Sequence, residues 1–374
     1  MNFIVSSTQL LNHLQAVSRV IASKNTMEIL NNFLFKLEGN KLTITASDIE
    51  TTMITSIEVE NASDDGNIAV DAKRLTNILK EFPDQPLTFN INNETHSVDI
   101  VSENGKFSVL GGNGDDFPQA NTLHDNVSVI RMSSDTLLQG VSKTLFAAMV
   151  DDIRPTLTGI FVEISGGKIK FVATDAHKLV CYGRSDVQTE GDSSFILPQK
   201  PANLLKSILP KTETEVSLSF NKQEAVIEFN EYKLICRLIE GTYPNYQAVI
   251  PNDVPRKLTI DRQDLCNCLR RVSIFSNQAS NLIKLSITAN QLTVSAQDID
   301  FSISAHERVK CQYEGEEMEI GFCSKYLIEI LSNLSCDTVV VNLSDSTRPG
   351  TFVPLDQSSV DEEVLMLLMP MSIN

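Results

Sequence analysis

The chain has 374 residues, 42% hydrophobic and 21% charged, ordinary for a globular protein but more than one hydrophobic core organises, so two or three domains are expected. No stretch approaches the roughly 20 apolar residues of a membrane span, and seven cysteines without a CxxC pair argue against a disulfide framework or a zinc site. The formal charge of −17 opposes simple phosphate gripping, because nucleic-acid affinity comes chiefly from Lys and Arg, so any such role must rest on where the cations are placed.

The chain opens on a strand-like run, Phe3-Ile4-Val5, with no basic or apolar leader before it, so a cytoplasmic address is expected. A helix over 7–21 follows, then alternating strands through Leu42 that end at Asp48, a second helix over 72–82, and the alternating run Leu87–Ile91. The same order recurs from Ile130, with helices over 133–146 and 198–211, strands that end at Asp175, and the run Val216–Phe220. It recurs again from Leu258, with helices over 261–275 and 323–334, strands that end at Asp298, and the run Thr338–Asn342. Leu10, Leu137 and Leu265 coincide at spacings of 127 and 128 residues, as do Leu14, Val141 and Leu269. In the second helices Lys73, Lys200 and Lys325 coincide, followed by Leu75, Ala202 and Leu327 on the inner stripe. Aromatic-Pro pairs, Phe117-Pro118 and Tyr243-Pro244, close the first two copies. The sequence therefore predicts an α+β protein of three tandem domains, 1–123, 124–250 and 251–374, each with two helices on antiparallel sheets.

The six helical segments carry twelve basic and five acidic residues, leaving the rest of the chain at −24. Basic helices in an acidic protein suit a phosphate-facing lining, and they single out Lys73, Arg74, Lys80, Lys143, Lys200, Lys206, Arg270, Arg271 and Lys325. No helix-turn-helix, finger or stacking run is present, so contact with DNA would be non-specific. Asp175 and His177 invite an acid-base reading, but Asp48 and Asp298 occupy the same repeat position without a following His, which points to a turn role. The run Gly111–Asp116 lacks the Lys and Ser/Thr of a phosphate loop, and Asp361-Glu362-Glu363 reads as a solvated loop. No cofactor is implied.

The segments Ala173–Leu179, Glu240–Tyr246, Glu317–Phe322 and Leu368–Met371, together with the threefold repeat, resemble the bacterial beta sliding clamps, the beta subunits of DNA polymerase III. The resemblance implies a non-catalytic homodimer, closed head to tail into a ring around duplex DNA. Twelve helices at about 8–10 Å spacing would leave a hole on the order of 20–28 Å. It also implies a cleft that takes short linear motifs of polymerases, the clamp loader and repair proteins. That cleft would comprise Leu157, Thr174, Ala176, His177, Lys178, Leu179, Pro244, Val249, Tyr326, Thr347, Leu367, Met369, Pro370 and Met371. For DNA it adds Lys24 and Arg154 and again points to Lys73 and Arg74; for the subunit contact it implies Phe107 and Val109 meeting the partner's third domain at Ile274 and Phe275. Four places depart from the family pattern: Ala176 where Gly is common, Ala248 where Arg is common, the uncharged tail Ser372-Ile373-Asn374, and Asp151 at a polar position just upstream of Arg154, which weakens that basic patch. The alternative class is a repeat-built scaffold that uses the cleft alone and does not associate with DNA.

Overall fold

The computed structural model describes residues 1–120, 123, 126–151, 153–187, 189, 191–356 and 359–373; Asn374, the end of the uncharged tail, lies outside them. These fall into two compact units, Met1–Leu137 with Asn203–Leu238, and Leu138–Ala202 with Ile239–Asn374. Among the described residues six α-helices form, one in each segment where spacing predicts it: α1 (Ser7–Val17), α2 (Ala72–Lys80), α3 (Ser134–Thr144), α4 (Gln199–Ile208), α5 (Arg262–Val272) and α6 (Ser324–Asn333). None is long and apolar enough to cross a membrane.

Side-chain caps mark where four of these helices start. Ser6 and Asp71 accept the amides of Gln9 and Arg74, Ser133 accepts that of Thr136, and Asp261 accepts that of Asp264, each satisfying an amide that has no partner inside its helix. The repeat leucines then face inward: Leu10, Leu14, Leu137, Val141, Leu265 and Leu269 are all buried. Lys73, Lys200 and Lys325 each occupy the second position of their helix, as the repeat register requires.

The first unit holds two antiparallel sheets. One runs Glu60–Ser63, Asn2–Ser6, Pro86–Asn92, Ser97–Ser102 and Gly105–Leu110. The other has nine strands, in the order Gly112–Asn113, Gly66–Asp71, Asn32–Glu38, Lys41–Ser47, Thr51–Glu58, Tyr232–Arg237, Glu224–Phe229, Glu215–Phe220 and Ser128–Ser133. Alternation places Phe3, Phe33, Phe35 and Phe89 on the inner faces, where Phe3 and Phe89 stack at 4.9 Å between centroids.

The second unit repeats the plan. Its nine-stranded sheet runs Ser193–Pro198, Gly159–Ser165, Lys168–Thr174, Lys178–Arg184, Glu362–Leu368, Gly350–Pro354, Thr338–Leu343, Arg256–Asp261 and Gln312–Glu314. A four-stranded sheet, Ile303–Lys310, Gln291–Asp298, Leu282–Thr288 and Met318–Cys323, completes it. Leu265, Leu269, Leu327, Ile330, Phe322 and Phe352 form the centre of its core.

The two units do not follow the threefold repeat. Strands of the middle repeat continue a sheet begun by another repeat on both sides: Leu234 pairs with Met53 in the first unit, and Val180 pairs with Met366 in the second. Edge strands of neighbouring copies hydrogen-bond to one another, which covers those particular edges and merges the copies into continuous sheets.

One sequence expectation is corrected. Glu362 is not in a solvated loop: Glu362–Leu368 is a strand, and Glu362 is 7% exposed because its carboxylate pairs with Lys143. Burial of that charge is tolerated because the opposite charge is buried with it.

Candidate functional site

In the second unit a tight turn joins the strands Lys168–Thr174 and Lys178–Arg184. The Asp175 carboxylate accepts the amides of His177 and Lys178, both at 2.9 Å, while the Thr174 hydroxyl donates to the Lys178 carbonyl at 2.6 Å and accepts the Ala176 amide at 3.1 Å. This closure forces Ala176 to φ +73°, a conformation that suits glycine better than alanine. The equivalent Asp48 accepts the Thr51 amide at 2.7 Å and Asp298 accepts that of Asp300 at 3.0 Å, so the repeated aspartate is a turn former. With Asp175 committed to two amides and to Lys178, it is not placed to act as an acid-base partner of the His177 ring.

The turn presents two side chains to α6. His177 stacks on Tyr326 at 5.5 Å between ring centroids. Lys178 is drawn inward, its amine 2.7 Å from Asp175 and 3.1 Å from Glu329 and 4.6 Å from the centre of the Tyr326 ring. Burial works against the charged amine, but hydrogen bonds and attraction from Asp175 and Glu329 outweigh it and hold its pKa above the usual lysine range. Lys178 therefore orders Tyr326 and the turn and is not itself an exposed contact.

Below the turn lies an apolar floor. Leu179 pairs with Leu367 across adjacent strands, and both join Leu157, Val172, Ile196, Tyr243 and Tyr246 in one buried cluster. Leu157 reaches it from the short turn Pro155–Leu157, held by the Met149 amide on its carbonyl at 2.9 Å. Past Leu368 the chain is fixed by the Met369 amide on the His177 carbonyl (2.9 Å) and the Met371 amide on the Gly321 carbonyl (2.8 Å). Met369 is 39% exposed, and Pro370 and Met371 are half-buried, so a flexible thioether stands above the leucine floor. Pro244 and Val249 are exposed on either side of the buried Tyr246. Thr347 is exposed in a turn of its own, where its hydroxyl donates to Asp345 at 2.6 Å.

Tyr246, Phe161, Ile196 and Glu329 are not among the cleft residues expected from the sequence, although Tyr246 ends the stretch Glu240–Tyr246. Phe161 stacks on Tyr243 at 4.7 Å and the Tyr246 hydroxyl donates to Glu163 at 2.6 Å, which pins the Glu240–Tyr246 stretch to the sheet. A phenol embedded in an otherwise mobile-looking polar stretch was the available signal.

The predicted cations divide into two groups. Lys24, Lys73, Arg74, Lys80 and Lys206 in the first unit are exposed, as are Arg154, Arg270 and Lys325 in the second; Lys200 is half-buried. Lys143 must be removed from the phosphate-facing set: its side chain is 11% exposed and pairs with Glu362. Arg271 is exposed but held by Glu307, with its Nε 2.9 Å from the carboxylate, and Arg262 donates to the carbonyls of Cys336 and Leu331 at 2.6 and 3.1 Å.

Phe107 and Val109 lie on Gly105–Leu110, the last strand of its sheet, with Phe107 edge-on to Phe82 at 5.3 Å. Leu110, at 74% exposure, extends this apolar edge and was missed. Ile274 (75%) and Phe275 (38%) follow α5, and Ile299 (79%), Phe301 (73%) and Ile303 (40%) are exposed at the start of the outermost strand of the four-stranded sheet. Exposed apolar side chains of this size on open strand edges mark surfaces that are covered in an assembly.

Three family models match the chain in tandem: DNA polymerase III beta subunit, N-terminal domain, over residues 1–121, central domain over 131–245, and C-terminal domain over 247–372. A beta sliding clamp of Vibrio cholerae is 27% identical over 371 residues, spanning 99% of each chain. One of Synechocystis is 29% identical, spanning 95% of this chain and 96% of the relative. Among solved structures, a DNA polymerase sliding clamp from Pseudomonas aeruginosa, 26% identical, matches over 100% of both chains with a TM-score of 0.94. A sliding clamp from Bartonella birtlesii bound to griselimycin, 29% identical, matches over the same extent at 0.92.

Proposed function

The chain belongs to the DNA polymerase III beta subunit family, the bacterial beta sliding clamps, and from that premise we propose which of its residues carry the work of a clamp. As a member it is a processivity factor and not an enzyme: a dimeric ring that encircles duplex DNA, slides on it, and tethers polymerase and other partners through a peptide-binding cleft. The single observation that carries this is the tandem match of all three family domains, in order, along the chain.

In our reading the domains are 1–123, 124–250 and 251–374, and the protein works in the cytoplasm. The cleft is the surface above the Leu157, Leu179 and Leu367 floor, rimmed by Ala176, His177, Pro244, Val249, Tyr326, Met369, Pro370 and Met371, with Thr174 and Lys178 shaping the turn beneath and Thr347 at its margin. A leucine floor with a methionine and aromatic rim accepts hydrophobic anchors of varied shape. Lys24, Lys73, Arg74, Lys80, Arg154, Lys200, Lys206, Arg270 and Lys325, with a lesser share from the paired Arg271, face phosphate; the ring holds DNA by enclosure, and these cations make the contact salt-sensitive. Phe107 and Val109 of one protomer meet Ile274 and Phe275 of its partner.

Two measurements test these assignments. Loaded onto nicked circular DNA, the protein should be retained and should slide off when the circle is cut; retention on the linear form would contradict enclosure. A hydrophobic clamp-binding peptide should bind the full chain and lose affinity for a chain ending before Met369, and equal affinity for both would sink the cleft assignment.

A further inference from the structure

Strands Lys168–Thr174, Lys178–Arg184 and Glu362–Leu368 lie side by side, and alternate residues share the face on which the cleft opens. The row beneath the cleft is Thr174, Leu179 and Leu367. The next row on that face is Val172, Cys181 and Leu365, and the one after is Lys170, Gly183 and Glu363. Each step advances two residues, about 7 Å along the strands.

The Tyr246–Ile250 stretch arches over these outer rows, pinned by the Tyr246 hydroxyl on Glu163. Between the arch and the sheet runs an open groove of about 510 Å³, walled by Tyr246, Gln247 and Ile250 on one side, floored by Cys181 and Leu365, and reaching Lys170 and Glu363. Cys181, Ile250 and Leu365 are partly buried against the same cluster that contains Leu157, Leu179 and Leu367. Cleft floor and groove floor thus belong to one packed apolar cluster. The far end is different in kind: Gly183 adds no side chain, and the nearest atoms a Cβ there would meet belong to Glu363 and Lys170, at 3.6–3.7 Å. Glu363 is itself paired with Lys168 at 3.5 Å, so the groove finishes at a charge-balanced rim.

We propose that the partner segment docked in the cleft continues into this groove, laying one further apolar side chain on Cys181 and Leu365 and ending its contact at the Lys170 and Glu363 rim. The occupant is the flanking stretch of the same peptide, because the groove occupies the next rows of the same sheet face and packs on the same cluster as the cleft floor, and two row steps, about 14 Å, match roughly four extended residues. This deepens the cleft reading and rests on it.

The test uses the full chain and three fluorescent peptides: a hexapeptide core with two leucines and a phenylalanine, and the same core extended by four residues that include a leucine at either its N- or C-terminal end. One extended peptide should bind roughly tenfold tighter than the core, the gain expected from burying about half of a leucine-sized side chain. That gain should vanish in Leu365→Lys, whose methylene stem still covers the cluster while its amine occupies the groove, and in Gly183→Phe, which fills the groove's end, while core affinity stays within about twofold in both. Core binding also certifies that each variant is folded, and if one variant fails that check the other decides. An equal affinity of all three peptides for the wild-type chain, or a gain that survives in a folded variant, overturns the groove. Absence of core binding to the wild-type chain instead overturns the cleft itself.

Discussion

Lys143 of α3 and Glu362 stand 219 residues apart, yet their side chains are 11% and 9% exposed and form an ion pair, with the Lys143 amine 5.0 Å from the centre of the Tyr182 ring. Lys143→Ala would strand the Glu362 carboxylate in a buried site without the cation that pairs with it. Breaking a buried pair by removing one member costs about 3–5 kcal/mol. A narrow cavity of about 10 Å³ beside Lys143, Ser335 and Glu362 is about the size that takes one water molecule, which places the expected loss near the lower end, about 3 kcal/mol. At about 2–4 °C per kcal/mol for a unit of this size, the melting transition should fall by about 6–12 °C. Replacing both partners, Lys143→Met with Glu362→Leu, removes the stranded charge and should recover the stability to within about 1 kcal/mol of wild type. Thermal melts and urea titrations of the single and double variants measure this. If Lys143→Ala melts with the wild type, or the double variant is no better than the single, the pair is not the buried clamp described here.

The remaining predictions concern the other charged and apolar features. Burial holds the His13 imidazole below its usual 6.5, with Glu231 offsetting part of the effect. The unfolded chain therefore takes up a proton that the folded one resists, and stability should fall as pH drops through 6.5 and level off below the folded value. His13→Gln, which keeps a partner for the Thr55 hydroxyl now 2.7 Å from Nδ1, should flatten that part of the curve; an unchanged profile between pH 7.5 and 5.5 would contradict it. Ala176→Gly relieves the φ of +73° and should raise stability by about 0.5–1 kcal/mol, and a loss in denaturant midpoint would mean the alanine methyl makes contacts that outweigh the strain. Phe107→Asp or Ile274→Asp places a carboxylate on an apolar edge and should shift the protein from dimer to monomer in sedimentation at micromolar concentration; an intact dimer in both would remove these residues from the interface. Lys73→Ala should reduce the slope of log affinity against log salt on circular DNA by about 1, whereas Lys143→Ala should leave that slope unchanged.

The features legible in the sequence are those set by short-range spacing. Apolar residues three and four apart define each helix, with a Ser or Asp cap before α1, α2, α3 and α5, and the turn at Asp175 needs only near neighbours: its carboxylate, the amides of His177 and Lys178, and the Thr174 hydroxyl. Lys143 and Glu362 show where such reading stops. In its own window Lys143 is one more helix cation and Glu362 one of three consecutive acids, and it takes the pairing of Lys178–Arg184 with Glu362–Leu368 to give both residues their place. The same limit applies to the sheets: alternation predicts each strand, but nothing local says that Tyr232–Arg237 continues a sheet begun by Thr51–Glu58.

These long-range pairings also alter the charge argument. Of the twelve basic residues in the helical segments, Lys143, Arg262 and Arg271 are engaged by Glu362, by backbone carbonyls and by Glu307. The cations free to meet phosphate are therefore fewer than composition suggests, on a chain whose formal charge is −17. A protein that bound DNA by surface attraction alone would be weakened by that subtraction. One that encloses the duplex is not, because the topological link persists when individual phosphate contacts are lost, and a modest set of cations at one repeat position leaves the ring able to slide.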